Sequence, residues 1–491
     1  MINENSELVL SVPLFLEFFD LDEKYIESVS FKSVNSDILI NVLMKRRLHT
    51  CPDCRNKTDK IKGYYTRTIK HQFLSNKNCL IKYKARRYVC PTCSKTFYEE
   101  NPFMFKDTKL SPTTVFNVLG DLKSSKETFS GVANRYFISA TTAQAIFDRH
   151  VKIPRYKLPK VLLIDEVYAK KGQYACVMVD YFTKDIIEVL PSRRKDFLIN
   201  YILNIPIEER KSVKYLCCDM WDTYRVIAYS YLPNCKVIVD KFHVIQELSR
   251  RCMKVRSKIL AKYRPNKLKP IDEMTKEERL NYEQNEINYY LLKKFQWLLF
   301  TSKVQDPNGP RRYNKKLKRY LNYYEIYELL LEIDDDIVQI NNIVFYLNNF
   351  YKSSNINNAE DELNNLIKRV KECKIFEISE FSKTLQKWKI EIINSFTIVE
   401  KKTIKYKDKS TKATFTKEID IKITNGLIEN RNKIIKDIKR NSNGYTNWDR
   451  FRNRVMYVAN PEATYSIFPD TDVVNWQKEQ RRKRKKIEDS K

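Results

Sequence analysis

Two aspartates that follow apolar runs in the middle of the chain are the first candidates for chemistry. Asp165 ends the run LLID, and Asp219 ends the run YLCCD. Side chains that follow the strands of an α/β sheet lie at the edge where ligands bind, so these carboxylates converge if their strands are neighbours. Two close carboxylates need a cation between them, and oxygen ligands of this kind favour Mg²⁺ or Mn²⁺.

A third acid is expected from a helix beside that edge, and the stretch GLIENRNKIIKDIKR predicts such a helix. Glu429 shares one of its faces with three basic residues, which are Lys433, Lys436 and Arg440. An acid beside a basic stripe suits a phosphodiester. Three carboxylates that hold two ions about 3.5–4 Å apart would activate an attacking water or 3′-hydroxyl and stabilise the leaving oxygen.

Position alone does not select these acids. Acids at strand ends commonly cap the next helix or pair with a surface lysine, and Asp219 can simply cap the helix predicted over WDTYRVIA. The competing acids nearby are Glu166, Asp180, Asp222 and Asp240.

Four of the 11 cysteines form two Cys-x₂-Cys pairs, namely Cys51, Cys54, Cys90 and Cys93. Two such turns supply the four thiolates that tetrahedral Zn²⁺ prefers, and the absence of a secretion signal argues against disulfides. The interval between the pairs exceeds the usual spacing of about 15–20 residues, which predicts a longer hairpin inside the zinc finger. The alternative is four free structural cysteines.

The charge balance indicates a polyanionic partner. The chain has 491 residues with 91 Lys and Arg against 61 Asp and Glu, a formal net charge of +30. Nucleic acid is the first candidate. A membrane surface is the rival, but no run of 18 or more apolar residues occurs, so we expect no membrane partner and a cytoplasmic protein.

The elements that must position the acids can be read from the apolar pattern. Strands are predicted over VLLIDEV, YACVMVDYF, DIIEVLP, VKYLCCD and CKVIVD, with helices over KDFLINYIL and WDTYRVIAYSYL. This order is typical of a mixed α/β sheet. Residues 243–400 are predicted to be helical without a convincing strand, and a polar stretch at 401–420 separates them from the helix of Glu429.

Residues 127–151 have the spacing of a helix-turn-helix motif. The second helix is predicted to begin after an N-cap at Ser139 and to bury Ala143, Ile146 and Phe147. The residues expected to face DNA are Thr141, Thr142 and Gln144. An ordinary helical hairpin is the alternative.

Four ordered blocks resemble the ISL3 family of bacterial insertion-sequence transposases, within the DDE class. They are IDEVYAKKGQYACVMVDY with the following SRR, then CCDMWDTYR, LPNCKVIVDKFHV and IENRNKIIKDIKRNSNGYTNWDRFRNRV. The resemblance implies a ribonuclease H-like fold and assigns the catalytic triad to Asp165, Asp219 and Glu429. DKFHV matches an Asp-x-x-His motif of such transposases, so Asp240 and His243 are expected to support the active site or to contact DNA; the alternative is a histidine that caps or packs the next helix.

The resemblance implies a multidomain protein with a zinc ribbon, a helix-turn-helix domain and a ribonuclease H-like α/β catalytic domain interrupted by an all-helical insertion. The expected segments are 1–100 (zinc finger), 101–153 (helix-turn-helix), 154–244 and 421–475 (catalytic domain), 245–420 (mainly helical insertion) and 476–491 (basic tail).

The implied function is binding of terminal inverted repeats, followed by metal-dependent DNA cleavage and strand transfer. The expected partners are double-stranded DNA, at the transposon ends and at the target, and further copies of the chain in a dimer or larger assembly at the nucleoid. A DNA-binding regulator without catalysis and a nuclease without strand transfer are the alternatives.

Overall fold

The computed structural model describes residues 12–34, 37–72, 77–104, 108–170, 173–264, 270, 273–301, 305–407 and 414–467. The chain divides into two compact units, the first formed by 1–155, 167–174 and 431–491 and the second by 156–166 and 175–430. The predicted basic tail at 476–491 lies outside the described residues.

The first unit begins with helix α1 (Val12–Glu17) and a mainly antiparallel sheet. The strands of this unit are β1 (Ile26–Val34), β2 (Asp37–Met44), β3 (His49–Thr50), β4 (Lys57–Thr58), β5 (Ile61–Lys70), β6 (Cys79–Val89) and β7 (Thr96–Tyr98). β3 and β4 pair with each other in a separate two-stranded sheet. The main sheet has the order β1-β2-β6-β5, with β7 also paired to β6. Alternate residues of β2 are buried, as expected for a strand with one face on the core.

Three short helices follow the sheet, and the last two lie in the segment 127–151 that was predicted to be helical. They are α2 (Pro112–Asp121), α3 (Phe129–Arg135) and α4 (Ala140–His150). Ser139 caps α4 by accepting a hydrogen bond from the backbone N–H of Thr142. Ala143, Ile146 and Phe147 are buried, as predicted.

The second unit contains the predicted mixed α/β sheet. Its elements are β8 (Val161–Lys170), β9 (Gln173–Asp180), β10 (Ile186–Leu190), α5 (Lys195–Leu203), α6 (Ile207–Ser212), β11 (Tyr215–Cys218), α7 (Asp222–Tyr231) and β12 (Lys236–Val239). The strand order is β10-β9-β8-β11-β12, and β11 runs parallel to both of its neighbours. Residues 161–164 of the central strand are all buried, as expected for a strand covered on both faces.

A mainly helical region with its own core follows β12. Its helices are α8 (Lys241–Lys262), α9 (Lys276–Lys294), α10 (Tyr323–Leu331), α11 (Asp335–Ser353), α12 (Ala359–Glu372), α13 (Phe376–Ser379), α14 (Phe381–Lys387) and α15 (Lys389–Asn394). The expectation of an all-helical insertion is wrong in one place, because β13 (Arg312–Asn314) and β14 (Arg319–Leu321) form a hairpin. Strands of three residues are too short to show an alternating apolar pattern.

The polar stretch before the last helices also forms a hairpin, where a spacer was expected. β15 (Ile398–Lys407) pairs antiparallel with β16 (Thr414–Lys422). Lysines alternate there with β-branched and aromatic residues, and the high charge obscured that pattern. The chain then forms α16 (Gly426–Asn441) and α17 (Trp448–Ala459). In the described part of the chain, every helix is too short or too polar to cross a membrane.

Candidate functional site

Three aspartates lie at the same level of three neighbouring parallel strands of the second unit's sheet. β8 continues past Asp165 to Lys170, so Asp165 lies within its strand and not at its end as predicted, whereas Asp219 and Asp240 directly follow β11 and β12. Cys217 of β11 is paired with Leu163 of β8, so continuing this register places Asp219 opposite Asp165. Cys218 is paired with Val239 of β12, so Asp240 follows at the same level. The convergence expected of Asp165 and Asp219 therefore arises from the register of adjacent strands.

Asp165 and Asp240 lie on the same side of the sheet as Cys217. Leu162 and Ile164 of β8 belong to the core on the opposite face, and side chains alternate along a strand. Burial raises the pKa of Cys217 well above its usual value, and the negative charges of Asp240 and Asp165 raise it further.

Asp219 is a partly buried acid with one fully buried oxygen. Its Oδ1 has no hydrogen-bond partner among the described residues. Burial raises the pKa of Asp219; the positive charge of His243 opposes this, and the negative charge of Asp165 adds to it. Asp219 is not the N-cap of α7, because Trp221 occupies that position. A buried carboxylate next to a second one is stabilised by a cation, which makes this pair suited to holding a hard metal ion.

Asp240 connects the sheet edge to the helix that carries Glu429. The buried Asp240 carboxylate accepts hydrogen bonds from the backbone N–H of Phe242 at 3.2 Å and of Asn425 at 3.0 Å. The backbone carbonyl of Asn425 in turn accepts from the N–H groups of Ile428 and Glu429, at 3.1 and 3.3 Å. One carboxylate therefore holds the first turns of both α8 and α16.

Glu429 itself is exposed in the first turn of α16. The basic residues predicted to share its face, Lys433, Lys436 and Arg440, are exposed as well, whereas Ile428, Ile435 and Ile438 are buried. Among the described residues, only the four paired cysteines form a group of three or more candidate ligands within 4.8 Å of one another. The structure thus brings Asp165 and Asp219 together electrostatically, without assembling all three acids at coordination distance.

The competing acids have other partners. Glu166 forms an ion pair with Arg193 and lies 3.3 Å from the Tyr224 hydroxyl. Asp180 accepts from the backbone N–H of Phe182 in the turn after β9. The competing acid at position 222 forms ion pairs with basic side chains on α7 and α14.

Two residues of this region were missed at the level of sequence, Asn425 and Arg193. Asn425 precedes the helix and has no periodic pattern to mark it. Arg193 belongs to the SRR triplet after β10, where one arginine among 91 basic residues carries little signal.

The four paired cysteines of the first unit form a compact tetrad. The Sγ atoms of Cys51 and Cys93 are 3.5 Å apart, as are those of Cys54 and Cys90. These separations exceed the S–S bond of about 2.05 Å and approach the spacing of about 3.8 Å between thiolates on one tetrahedral zinc ion. The residues present therefore fit Zn²⁺.

Both cysteine turns have the same backbone design. In each, the first cysteine's carbonyl accepts from the residue four positions later, Arg55 in one turn and Ser94 in the other, and both of these have positive φ angles, 65° and 58°. A hydrogen bond of 3.0 Å from Asn56 Nδ2 to Thr92 Oγ1 joins the turns. The backbone N–H of Cys93 lowers the pKa of Cys90 to about 6. Between the turns, β5 and β6 form the predicted longer hairpin.

The exposed side of α4 borders a basic groove of about 1130 Å³ within the first unit. Thr141 and Thr142 line this groove. Its basic lining residues are Arg67, Lys70, Lys109 and Arg149, and its described lining includes no acid. Gln144, expected to act with the two threonines, lines a separate polar cleft of about 360 Å³ beside the loop 441–447.

Comparison with protein families decides the identity of the chain. A family model described as a transposase, of the ISL3 type, matches residues 162–403 and 398–455, more than half of the chain. The chain belongs to the ISL3 family of transposases. A second model, described as the zinc-finger of transposase IS204/IS1001/IS1096/IS1165, matches residues 47–93. No curated protein gives a significant match.

The two matches cover both sites of this transposase. The first spans the sheet-edge aspartates, His243 and Glu429, and the second contains all four paired cysteines. The N-terminal zinc ribbon predicted from the cysteine spacing is confirmed by the family match together with the tetrad geometry.

Proposed function

We propose that this transposase binds the terminal inverted repeats of an insertion sequence and catalyses metal-dependent DNA cleavage and strand transfer, with Asp165, Asp219 and Glu429 as its catalytic acids. The observation that carries the proposal is the pair of aspartates at the same level of two adjacent parallel strands, one of which has a buried oxygen with no partner among the described residues.

The sheet has the order β10-β9-β8-β11-β12, and β8, β11 and β12 are parallel. The connections between these parallel strands contain helices. This arrangement supports a ribonuclease H-like catalytic domain. Under this proposal the domain boundaries expected from the sequence apply, with the helical region between the second and third acids as an insertion.

Asp165, Asp219 and Glu429 would hold Mg²⁺ or Mn²⁺. Bound divalent ions supply Lewis acidity for an in-line displacement at a phosphodiester. Asp240 would position Glu429 through the backbone of Asn425, and His243 would place positive charge beside Asp219. Glu429 is exposed, so its side chain is free of core packing and would join the two aspartates when a cation neutralises their mutual repulsion.

DNA recognition is assigned to the first unit. The zinc ribbon and the helix-turn-helix formed by α3 and α4 would bind the element ends, with Thr141 and Thr142 in the basic groove. Gln144 from the neighbouring cleft, and Lys433, Lys436 and Arg440 on α16, would add contacts to DNA. Cleavage of two ends requires at least two active sites, which favours a dimer or larger assembly in a nucleoid-associated cytoplasmic protein.

The decisive test is cleavage of labelled element-end DNA in Mg²⁺ by the wild type and by Asp165→Ala, Asp219→Ala and Glu429→Ala. We expect only the wild type to cut, while all four proteins keep their fold and bind the end. A wild type that binds but fails to cut in Mg²⁺ or Mn²⁺ would identify a non-catalytic regulator. Cutting without joining of a pre-cut end would identify a nuclease.

A further inference from the structure

One arginine contacts residues that closely follow Asp165 and Asp219 in the chain. Arg193 lies in the loop between β10 and α5, and its guanidinium forms an ion pair with Glu166, the residue after Asp165. The same guanidinium lies over the ring of Trp221, two residues after Asp219, with its Cζ 5.1 Å from the ring centroid. The Arg193 side chain therefore contacts both β8 and the segment that follows β11.

Glu166, the ion-pair partner of Arg193, is itself held in place by a further contact. Glu166 is 12% exposed, and its second oxygen lies 3.3 Å from the hydroxyl of the fully buried Tyr224. Glu166 therefore serves as a fixed counter-ion for the guanidinium.

Arg193 remains open to solvent and close to the acids. Its side chain is 41% exposed. Its guanidinium contacts the residue after Asp165 and the residue two positions after Asp219, so it lies beside both acids. The exposed part of the side chain is accessible to a phosphate.

We infer that Arg193 is a further catalytic residue, which binds a non-bridging oxygen of the scissile phosphate beside the Asp165–Asp219 pair. This inference rests on the proposed function. Arginine suits the role because its planar donors match phosphate oxygens and its charge persists at every working pH. The fixed positive charge stabilises the negative charge that accumulates in the transition state.

The test compares single-turnover cleavage by the wild type, Arg193→Ala, Arg193→Lys and the matched control Arg194→Ala, with folding and end binding measured for each. Arg194 is the next residue of the same loop, and its side chain makes no cap hydrogen bond to α5. We expect Arg193→Ala to lose about 10²-fold in rate with end binding retained, and Arg194→Ala to match the wild type. Arg193→Lys keeps the charge without the planar donors and should fall between them.

A second readout separates phosphate contact from a structural role. Sulfur placed stereospecifically at each non-bridging oxygen of the scissile phosphate should slow the wild type, and for one stereoisomer this penalty should shrink in Arg193→Ala or, if that variant does not fold, in Arg193→Lys. Equal sulfur penalties in wild type and variant, or an equal loss in Arg194→Ala, would overturn the inference. If the wild type cuts and Arg193→Ala cuts as fast, only this inference fails; if the wild type never cuts, the proposed function fails and this inference with it.

Discussion

The substitution Asp240→Asn should loosen the helix that carries Glu429 while leaving α8 in place. Asp240 accepts one backbone N–H at each carboxylate oxygen, from Phe242 and from Asn425. Asparagine has a single acceptor oxygen and caps helices as well as aspartate, so the short-range bond to Phe242 should persist. The N–H of Asn425 then faces an amide nitrogen and loses its partner.

The size of this effect follows from the lost bond. A hydrogen bond to a charged group is worth about 1.5–3 kcal/mol, and about 1.4 kcal/mol corresponds to a factor of ten. If local opening governs exchange, amide hydrogen exchange in residues 423–430 should accelerate about 10- to 100-fold. Residues 241–245 should exchange at the wild-type rate.

The assay is hydrogen exchange with peptide-level mass spectrometry, together with end binding and cleavage. Asp222→Asn is the matched control, because Asp222 pairs with Arg225 on the protein surface and such pairs contribute about 0–1 kcal/mol. We expect Asp240→Asn to slow cleavage without weakening end binding. Unchanged exchange over 423–430, or equal acceleration at 241–245, would refute the reasoning that Asp240 positions the Glu429 helix.

The other predictions concern stability and metal content. Because burial raises the pKa of Asp219, its ionised form destabilises the metal-free protein near neutral pH, and this cost shrinks as pH falls through the raised pKa and is gone below the ordinary pKa of an aspartate. Asp219→Asn should therefore melt above the wild type in chelator at pH 7, with a gap that closes in acid, and Mg²⁺ should raise only the wild-type midpoint; identical melting curves would contradict this. Cys51→Ser with Cys90→Ser should abolish the content of about one zinc ion per chain, measured by elemental analysis, together with end binding; intact binding without zinc would count against the zinc ribbon as a DNA-binding element. Arg454 is 1% exposed and donates to the backbone carbonyls of Ser124 and Glu127, both at 2.9 Å, so Arg454→Ala should cost about 2–4 kcal/mol in thermal unfolding. Arg450→Ala, which breaks a more exposed ion pair with Asp148, should cost less, and the reverse ranking would show that the buried arginine is not stabilising.

Much of the sheet could be predicted because its strands are short apolar runs bounded by turns. The five strands of the mixed sheet and the two predicted helices, α5 and α7, occur where the apolar pattern placed them, whereas the short helix α6 between β10 and β11 was not predicted. The N-cap at Ser139 and the buried face of α4 were likewise readable, since capping and helical spacing are local properties. The hairpin of β15 and β16 was missed because its alternating pattern is carried largely by lysine and threonine.

The sequence by itself determined the cysteine tetrad and the sheet strands, because ligand spacing and apolar periodicity act over a few residues. It could not choose between Asp165, Asp219 and their acidic neighbours, since each of them follows or precedes an apolar strand. The tertiary structure decided that question in part: the parallel register of β8, β11 and β12 aligns Asp165, Asp219 and Asp240.

Only the tertiary structure assigned different environments to these acids. Asp219 has a buried oxygen without a partner, Asp240 receives two backbone N–H groups, and Glu166 fixes an arginine. These contacts join residues up to 185 positions apart in the chain. No local pattern encodes such pairs, because burial and hydrogen bonding between distant segments exist only after the chain has folded.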